Sequence, residues 1–206
     1  EFELGQRNYT EMARAIAQLR AQWKEAAAAD VLDAQLALAA KSDYRGASKA
    51  LESALRKDPD NKVALFWKAQ IDETIGGGAD AAKVYQDLVR EQPVKELDTG
   101  LSLATAAQWA LATQALDNRE VDTAINRLGE LLKNGGQANA ELNRAIHWKL
   151  AFAYAAKGNW PAARSELVTI LKDPNTTNDE RVRASNFCRE NKDETTANQL
   201  LDGVLK

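Results

Sequence analysis

The chain has 206 residues, of which 45% are apolar and 28% charged, with only 11 Gly and 4 Pro, a composition that excludes disordered and collagen-like classes. Its 27 Lys and Arg against 30 Asp and Glu give a net charge of −3, so there is no general attraction to phosphate backbones or anionic lipid, and a nucleic-acid partner is disfavoured. A single cysteine, Cys188, excludes an internal disulfide, and with a single histidine, His147, too few soft ligands remain for a zinc site; no metal or cofactor is expected.

No window approaches the roughly 18 uninterrupted apolar residues of a membrane span, so membrane insertion is not expected and the cytoplasm and the bacterial periplasm both stay open. The opening Glu1-Phe2-Glu3 has neither an initiator Met nor the basic and apolar regions of a signal peptide, which reads as a mature chain or an excised fragment. Ala, Leu, Gln, Glu, Lys and Arg dominate while β-branched residues are sparse, so helix propensity is high almost throughout and an all-α fold is predicted. The breaks, in chain order, fall at Lys41-Ser42-Asp43, Asp58-Pro59-Asp60-Asn61, Gly76-Gly77-Gly78, Glu91-Gln92-Pro93, Asn134-Gly135-Gly136, Lys157-Gly158-Asn159 and Asp173-Pro174-Asn175. Between them apolar residues recur at helical spacing, as in Leu51, Ala54, Leu55 and in Leu150, Ala151, Tyr154, so each helix carries a stripe to bury.

Along the chain one pattern returns: a small residue, a large apolar one four positions on, and another apolar one three further. An opening helix from Tyr9 to Trp23 carries a weak version, Met12-Ile16-Leu19. The stronger copies are Ala47-Leu51-Ala54, Ala81-Tyr85-Leu88, Ala124-Leu128-Leu131, Ala163-Leu167-Ile170 and Ala197-Leu201-Val204. The leading positions are separated by 35, 34, 43, 39 and 34 residues, and Pro59 and Pro93 are also 34 apart. Before several copies lies a second pattern, clearest as His147-x2-Leu150-Ala151-x2-Tyr154, followed by Gly158, Trp160 and the Ala163 triad.

These two patterns together resemble the tetratricopeptide repeat, whose signature is W-x2-L-G-x2-Y, then A-x3-F, then P over about 34 residues. His147 stands for the Trp and Ala151 for the Gly. The other copies are looser: Val31, Ala34, Gln35 and Leu38 in the first, Gln108, Leu111, Ala112 and Ala115 in the third, Arg181, Ala184, Ser185 and Cys188 in the fifth. In the second copy strict spacing would place Lys68 and Asp72 inside. A one-residue slip absorbed at Gly76-Gly77-Gly78 buries Ala64, Trp67 and Ile71 instead, and is preferred because an unpaired buried charge costs several kcal/mol. The third copy is nine residues longer, which predicts a longer first helix or an added turn around Asp98-Thr99-Gly100.

The resemblance implies one α-solenoid domain over residues 1–206, a right-handed superhelix of antiparallel helix pairs: a half repeat at 1–27, then repeats at 28–61, 62–93, 94–137, 138–175 and 176–206. It also implies a concave groove, lined by first helices, that holds a peptide or helix of a partner protein. By that alignment the groove residues are Leu32, Leu36, Phe66, Gln70, Trp109, Thr113, Trp148 and Phe152, continuing to Val182 and Asn186. Three consecutive copies put an aromatic at one position, and these rings either meet a partner or pack against the next first helix. Trp23, Trp67 and Trp160 read as core or turn residues.

Family members that hold a carboxylate terminus use Lys, Asn and Arg in the groove. Here the aligned positions are apolar or neutral, so an apolar or amphipathic protein or peptide is expected and charge is not expected to select it. His147 reads as a packed structural residue, Cys188 as core, and Asp58-Pro59-Asp60-Asn61 and Gly76-Gly77-Gly78 as turns lacking the ligands of a calcium loop or the Lys-Ser/Thr of a phosphate loop. With no nucleophile and base in a recognisable motif, a non-catalytic interaction module or scaffold is expected. The alternatives are a recruiting or spacer segment of a larger protein and a small-molecule or lipid-binding helical domain. Self-association through the terminal helices is a further expectation, since the last triad has no evident solvating helix after it.

Overall fold

The computed structural model describes residues 2–23, 26–76, 78–90, 102–134 and 140–201. Every element in them is an α-helix: α1 Phe2–Gln22, α2 Ala27–Lys41, α3 Tyr44–Lys57, α4 Lys62–Ile75, α5 Gly78–Arg90, α6 Leu103–Asp117, α7 Val121–Asn134, α8 Ala140–Ala156, α9 Trp160–Lys172, α10 Asn178–Glu190 and α11 Glu194–Leu201. The chain forms two compact units, Glu1–Ala107 and Gln108–Lys206. In the first, α1 packs on α2, α2 on α3, α3 on α4 and α4 on α5. In the second, α7 packs on α8, α8 on α9 and α10 on α11, so each unit is built from helices stacked on their sequence neighbours. None of the described helices is long and apolar enough to cross a membrane.

Short polar side chains start the helices by accepting from backbone N–H groups that have no partner within the first turn. Asp43 accepts from Gly46 N at 2.8 Å, Asn61 from Ala64 N at 3.0 Å, Asn159 from Ala162 N at 3.3 Å and Asp193 from Thr196 N at 3.0 Å. Thr177 and Glu180 cap α10 reciprocally: Glu180 N donates to Thr177 Oγ1 at 3.2 Å while Thr177 N donates to Glu180 Oε2 at 2.9 Å. The turn inside each pair follows one recipe. Ser42, Gly76, Arg119, Gly158 and Lys192 all have positive φ, at 49°, 110°, 62°, 78° and 62°, and each stands five residues before the small alanine of its repeat. The next residue then reaches back to the preceding helix: Glu120 N to Ala115 O at 2.8 Å, Asn159 N to Tyr154 O at 2.8 Å, Asp193 N to Cys188 O at 2.9 Å.

The repeating triads are the core. Ala47, Leu51 and Ala54, Ala81, Tyr85 and Leu88, Ala124, Leu128 and Leu131, and Ala163, Leu167 and Ile170 are all buried, the leading alanines completely. An alanine at that position lets two helix backbones approach, and the large residues one and two turns later fill the space against the neighbouring helix. In the last copy Ala197 and Leu200 are buried while Leu201 is half-buried, and Val204 lies outside the described residues. The weak opening copy contributes Ile16 to the core, with Met12 and Leu19 half-buried.

The slipped register of the second copy holds in part. Ala64 and Ile71 are buried with Trp67 packed against them, and Lys68 and Asp72 stay half-exposed, ion-paired at 2.5 Å along α4. The extra length of the third copy does not lengthen its first helix, since α6 has 15 residues, as α2 does. Asp98-Thr99-Gly100, like Pro93 and Gly135-Gly136, lies outside the described residues.

α1 is held by more than apolar contact. Asp30, buried near the start of α2, accepts from Arg20 Nη2 of α1 at 2.9 Å, from Ser53 Oγ of α3 at 2.9 Å and from Lys57 Nζ of α3 at 2.8 Å. Arg20 also pairs with Asp33. Burial pushes the Asp30 carboxyl up, but the hydrogen bonds from Lys57, Ser53 and Arg20 outweigh it and hold the group below the usual carboxylate range.

Candidate first-helix binding face

The residues that line up one position after the start of the first-helix motif have different fates. Phe66 is 2% exposed, with its ring 5.8 Å from those of Trp67 and Tyr85. It therefore cannot offer its ring to a partner, because the slip that buries Ala64 and Ile71 leaves α4 apolar contacts on two sides, and Phe66 packs toward Tyr85 of α5. Leu32, Leu36 and Gln70 in the same unit are half-buried.

The second unit brings the remaining candidates onto its first helices α6, α8 and α10. Trp109 is half-buried on α6, and Lys149 of α8 holds its ammonium 5.1 Å from the ring centroid. Burial keeps that ammonium below the usual lysine range, against the pull of Asp117. Thr113, one turn after Trp109, is half-buried with a buried Oγ1 that has no hydrogen-bond partner among the described residues.

Trp148 is only 7% exposed and belongs to the core cluster with Ala151, Leu167, Ile170, Ala184 and Cys188. Its outer face carries Phe152, stacked at 5.8 Å with planes 24° apart, and the guanidinium of Arg183 from α10, 4.6 Å from its centroid. Arg183 also lies 5.6 Å from the Phe152 ring. Phe152 is 37% exposed and meets the edge of Phe187 at 4.6 Å. Phe187 continues to Trp160 at 5.9 Å, whose indole Nε1 donates to Asp193 at 2.9 Å. Beside these rings Phe152, Val182, Arg183, Asn186 and Phe187, together with the acids Asp179 and Glu190, line an open groove of about 440 Å³. Val182 is 41% exposed.

The first-helix face thus contains exposed apolar surface at Phe152 and Val182, a covered ring at Trp148, and two cations laid on aromatic faces. The cations were not legible in the aligned positions, which are apolar or neutral. Arg183 and Lys149 each follow a groove position by one residue, and each covers a ring from the first helix before it.

The other singled-out residues sit where packing put them. His147 Nδ1 is 2.6 Å from Glu166 Oε2, joining α8 to α9, with both side chains largely buried. Cys188 is fully buried, and burial pushes its thiol up to about 11, so it is protonated and inert at neutral pH. Trp23 is 63% exposed in the connection from α1 to α2, a turn residue, while Trp67 and Trp160 flank the two cores. Among the described residues no cluster of His, Cys, Asp and Glu could hold a metal ion.

A model of the Tetratricopeptide repeat family matches residues 32–96 and 109–177. No curated protein matches the chain. Among solved structures, that of MamA is 19% identical, covers 82% of this chain and 90% of its own, and superposes with a TM-score of 0.58. YrrB, described as a TPR protein with an unusual peptide-binding site, is 15% identical with a TM-score of 0.61, covering 91% of this chain and 89% of its own. The C-terminal part of a TPR repeat-containing protein from Cytophaga hutchinsonii is 15% identical with a TM-score of 0.65, covering 98% and 77%. At these identities the likeness is one of fold.

Proposed function

This chain belongs to the tetratricopeptide repeat family, and from that premise we propose that it is a non-catalytic module whose first-helix face in the second unit holds an extended peptide or a helix of a partner protein. The fold is that of a protein–protein interaction module. The observation that carries the finer reading is the face itself: Phe152 and Val182 keep more than a third of their surface in water beside a groove of about 440 Å³. Exposed rings bordered by polar groups are where partner side chains gain most from leaving water. Non-catalytic character is supported by the two groups best suited to chemistry, His147 bound to Glu166 across a helix pair and Cys188 sealed in the core.

The test is affinity capture from the source lysate with mass-spectrometric readout, comparing the wild-type chain with Trp109→Ala/Phe152→Ala. A partner held by the wild type and lost from the double variant supports the reading; partners held equally by both overturn it. Phe152 is the residue to remove rather than Trp148, because Trp148 is part of the core and its loss would confound binding with unfolding.

A further inference from the structure

We infer that the second unit's first-helix face selects a segment in which one Asp or Glu side chain lies beside an aromatic or aliphatic one, the carboxylate taken by Arg183 and the apolar side chain by the groove between Phe152, Val182 and Phe187. The inference rests on the binding face proposed above and adds its chemistry. Arg183 is exposed and lies against two rings, 4.6 Å from the Trp148 centroid and 5.6 Å from that of Phe152. Ring contact restrains a guanidinium without using its N–H groups, which form a planar fork matched to a carboxylate. Three other arginines of this unit spend theirs on structure: Arg144 pairs with Asp173 at 3.3 Å and Glu180 at 3.7 Å, Arg189 with Glu194 at 3.6 Å, and Arg164 approaches Asp193 at 3.9 Å. Arg183 has no carboxylate within ion-pair distance among the described residues. A cation fixed in place, facing water and without a counterion is set to receive one at little further ordering cost.

Two neighbours refine the ligand. Lys149, over Trp109 on the same face, adds positive charge on the side of α8. Asp179 and Glu190 line the same groove from α10 and repel any acid that Arg183 does not hold, which favours a single carboxylate over a polyacidic run. The apolar side chain enters beside Phe152, Val182 and Phe187, within reach of a residue adjacent to the one that Arg183 holds.

The experiment pans the full chain against random dodecapeptides displayed on phage and measures synthetic copies of the selected peptides by fluorescence anisotropy. Binding is compared on wild type, Arg183→Gln, Arg183→Lys, and two groove variants, Phe152→Ala and Val182→Glu, each first shown to retain its circular dichroism and melting curve. The expected result is enrichment of one Asp or Glu next to an aromatic or aliphatic residue. Replacing that acid by its amide should weaken binding about tenfold, as should Arg183→Gln, with no further loss when both are combined. Arg183→Lys should recover little, because an ammonium cannot present the bidentate fork. Peptides that depend on Phe152 and Val182 but show no acid preference and bind Arg183→Gln normally overturn this inference and leave the binding face standing. Peptides indifferent to both groove variants, or no selected peptide at all, overturn the face and the inference with it.

Discussion

The five left-handed turns give a prediction whose sign follows from backbone geometry alone. Arg119 and Lys192 each have φ 62°, a region in which an L-residue pays roughly 1–2 kcal/mol for the closeness of Cβ to the following carbonyl. Both are exposed, and neither side chain makes a hydrogen bond or ion pair among the described residues, so replacing it removes no contact. Glycine relieves the strain but gains freedom in the unfolded chain worth about 0.4–1 kcal/mol, leaving a net gain of about 0.5–1 kcal/mol for each of Arg119→Gly and Lys192→Gly. The sites are in different repeats, so the gains should add. Lys192→Ala is the control, because alanine keeps the same strain and should shift stability little. At the natural glycines the sign reverses: Gly158→Ala, at φ 78°, should cost about 1 kcal/mol, and Gly76→Ala, at φ 110° and further from the left-handed minimum, should cost more. Urea unfolding followed by circular dichroism reads all of these as midpoint shifts at constant slope. A Lys192→Gly chain less stable than Lys192→Ala would refute the reasoning, since the turn would then be gaining nothing from release of the left-handed strain.

Three further perturbations test the core, the α1 latch and the separation of packing from binding. Ala163 is fully buried where α9 meets its partner helix and Ala162 is half-buried, so Ala163→Leu should lower the melting temperature more than Ala162→Leu, by an overpacking cost of about 1–3 kcal/mol; equal shifts would deny the close helix approach. Asp30→Ala should destabilise by about 1–2 kcal/mol, less than the loss of a fully buried pair, because Arg20 and Lys57 keep 46% and 22% of their side chains in water and can rehydrate. Asp30, Asp173 and Asp193 are all held below the usual 3.8, so between their folded and unfolded values the unfolded chain binds more protons. Their stabilisation is therefore complete above about pH 4 and is lost as pH falls through the folded values, and Asp30→Ala should flatten the acid limb of a melting-temperature profile. Finally, Trp148→Ala should cost about 3–5 kcal/mol as a core truncation, whereas Phe152→Ala should cost distinctly less while abolishing partner capture; similar stability losses would place Phe152 in the core.

The period and the triads were legible because helix packing imposes them. A backbone-to-backbone approach needs a small residue, and the space one and two turns later must be filled, so Ala47-Leu51-Ala54 and its successors are constrained whatever the partner. The turns were legible only where Gly, Pro or a short polar cluster announces them. The breaks at Asn118–Glu120 and Asn191–Asp193 lack glycine and proline, yet Arg119 and Lys192 turn left-handed as Gly158 does, since the hydrogen bonds from Glu120 N and Asp193 N hold each turn against its strain. The Asp30 cluster was invisible because its members come from three helices with no shared spacing.

The proposed binding face was legible by half, and the reason lies in what covers each ring. One repeat position carries Phe66, Trp109 and Trp148, and the pattern treats the three alike. Phe66 is buried because α4 has slipped and faces Tyr85, while Trp148 is covered by groups from the following repeat: Arg183 over its face and, through Phe152, Phe187 at its margin. Exposure at such a position is set by the helix that comes next, so it belongs to a pair of repeats and not to one. Arg183 is where this matters most. In its own repeat it is an ordinary arginine one residue beyond an aligned groove position, and only the ring of the repeat before it makes it an oriented cation. Side chains oriented in this way arise at the seams between copies, where the repeating core pattern no longer dictates them, and that is why a search for the repeat finds the scaffold and passes over them.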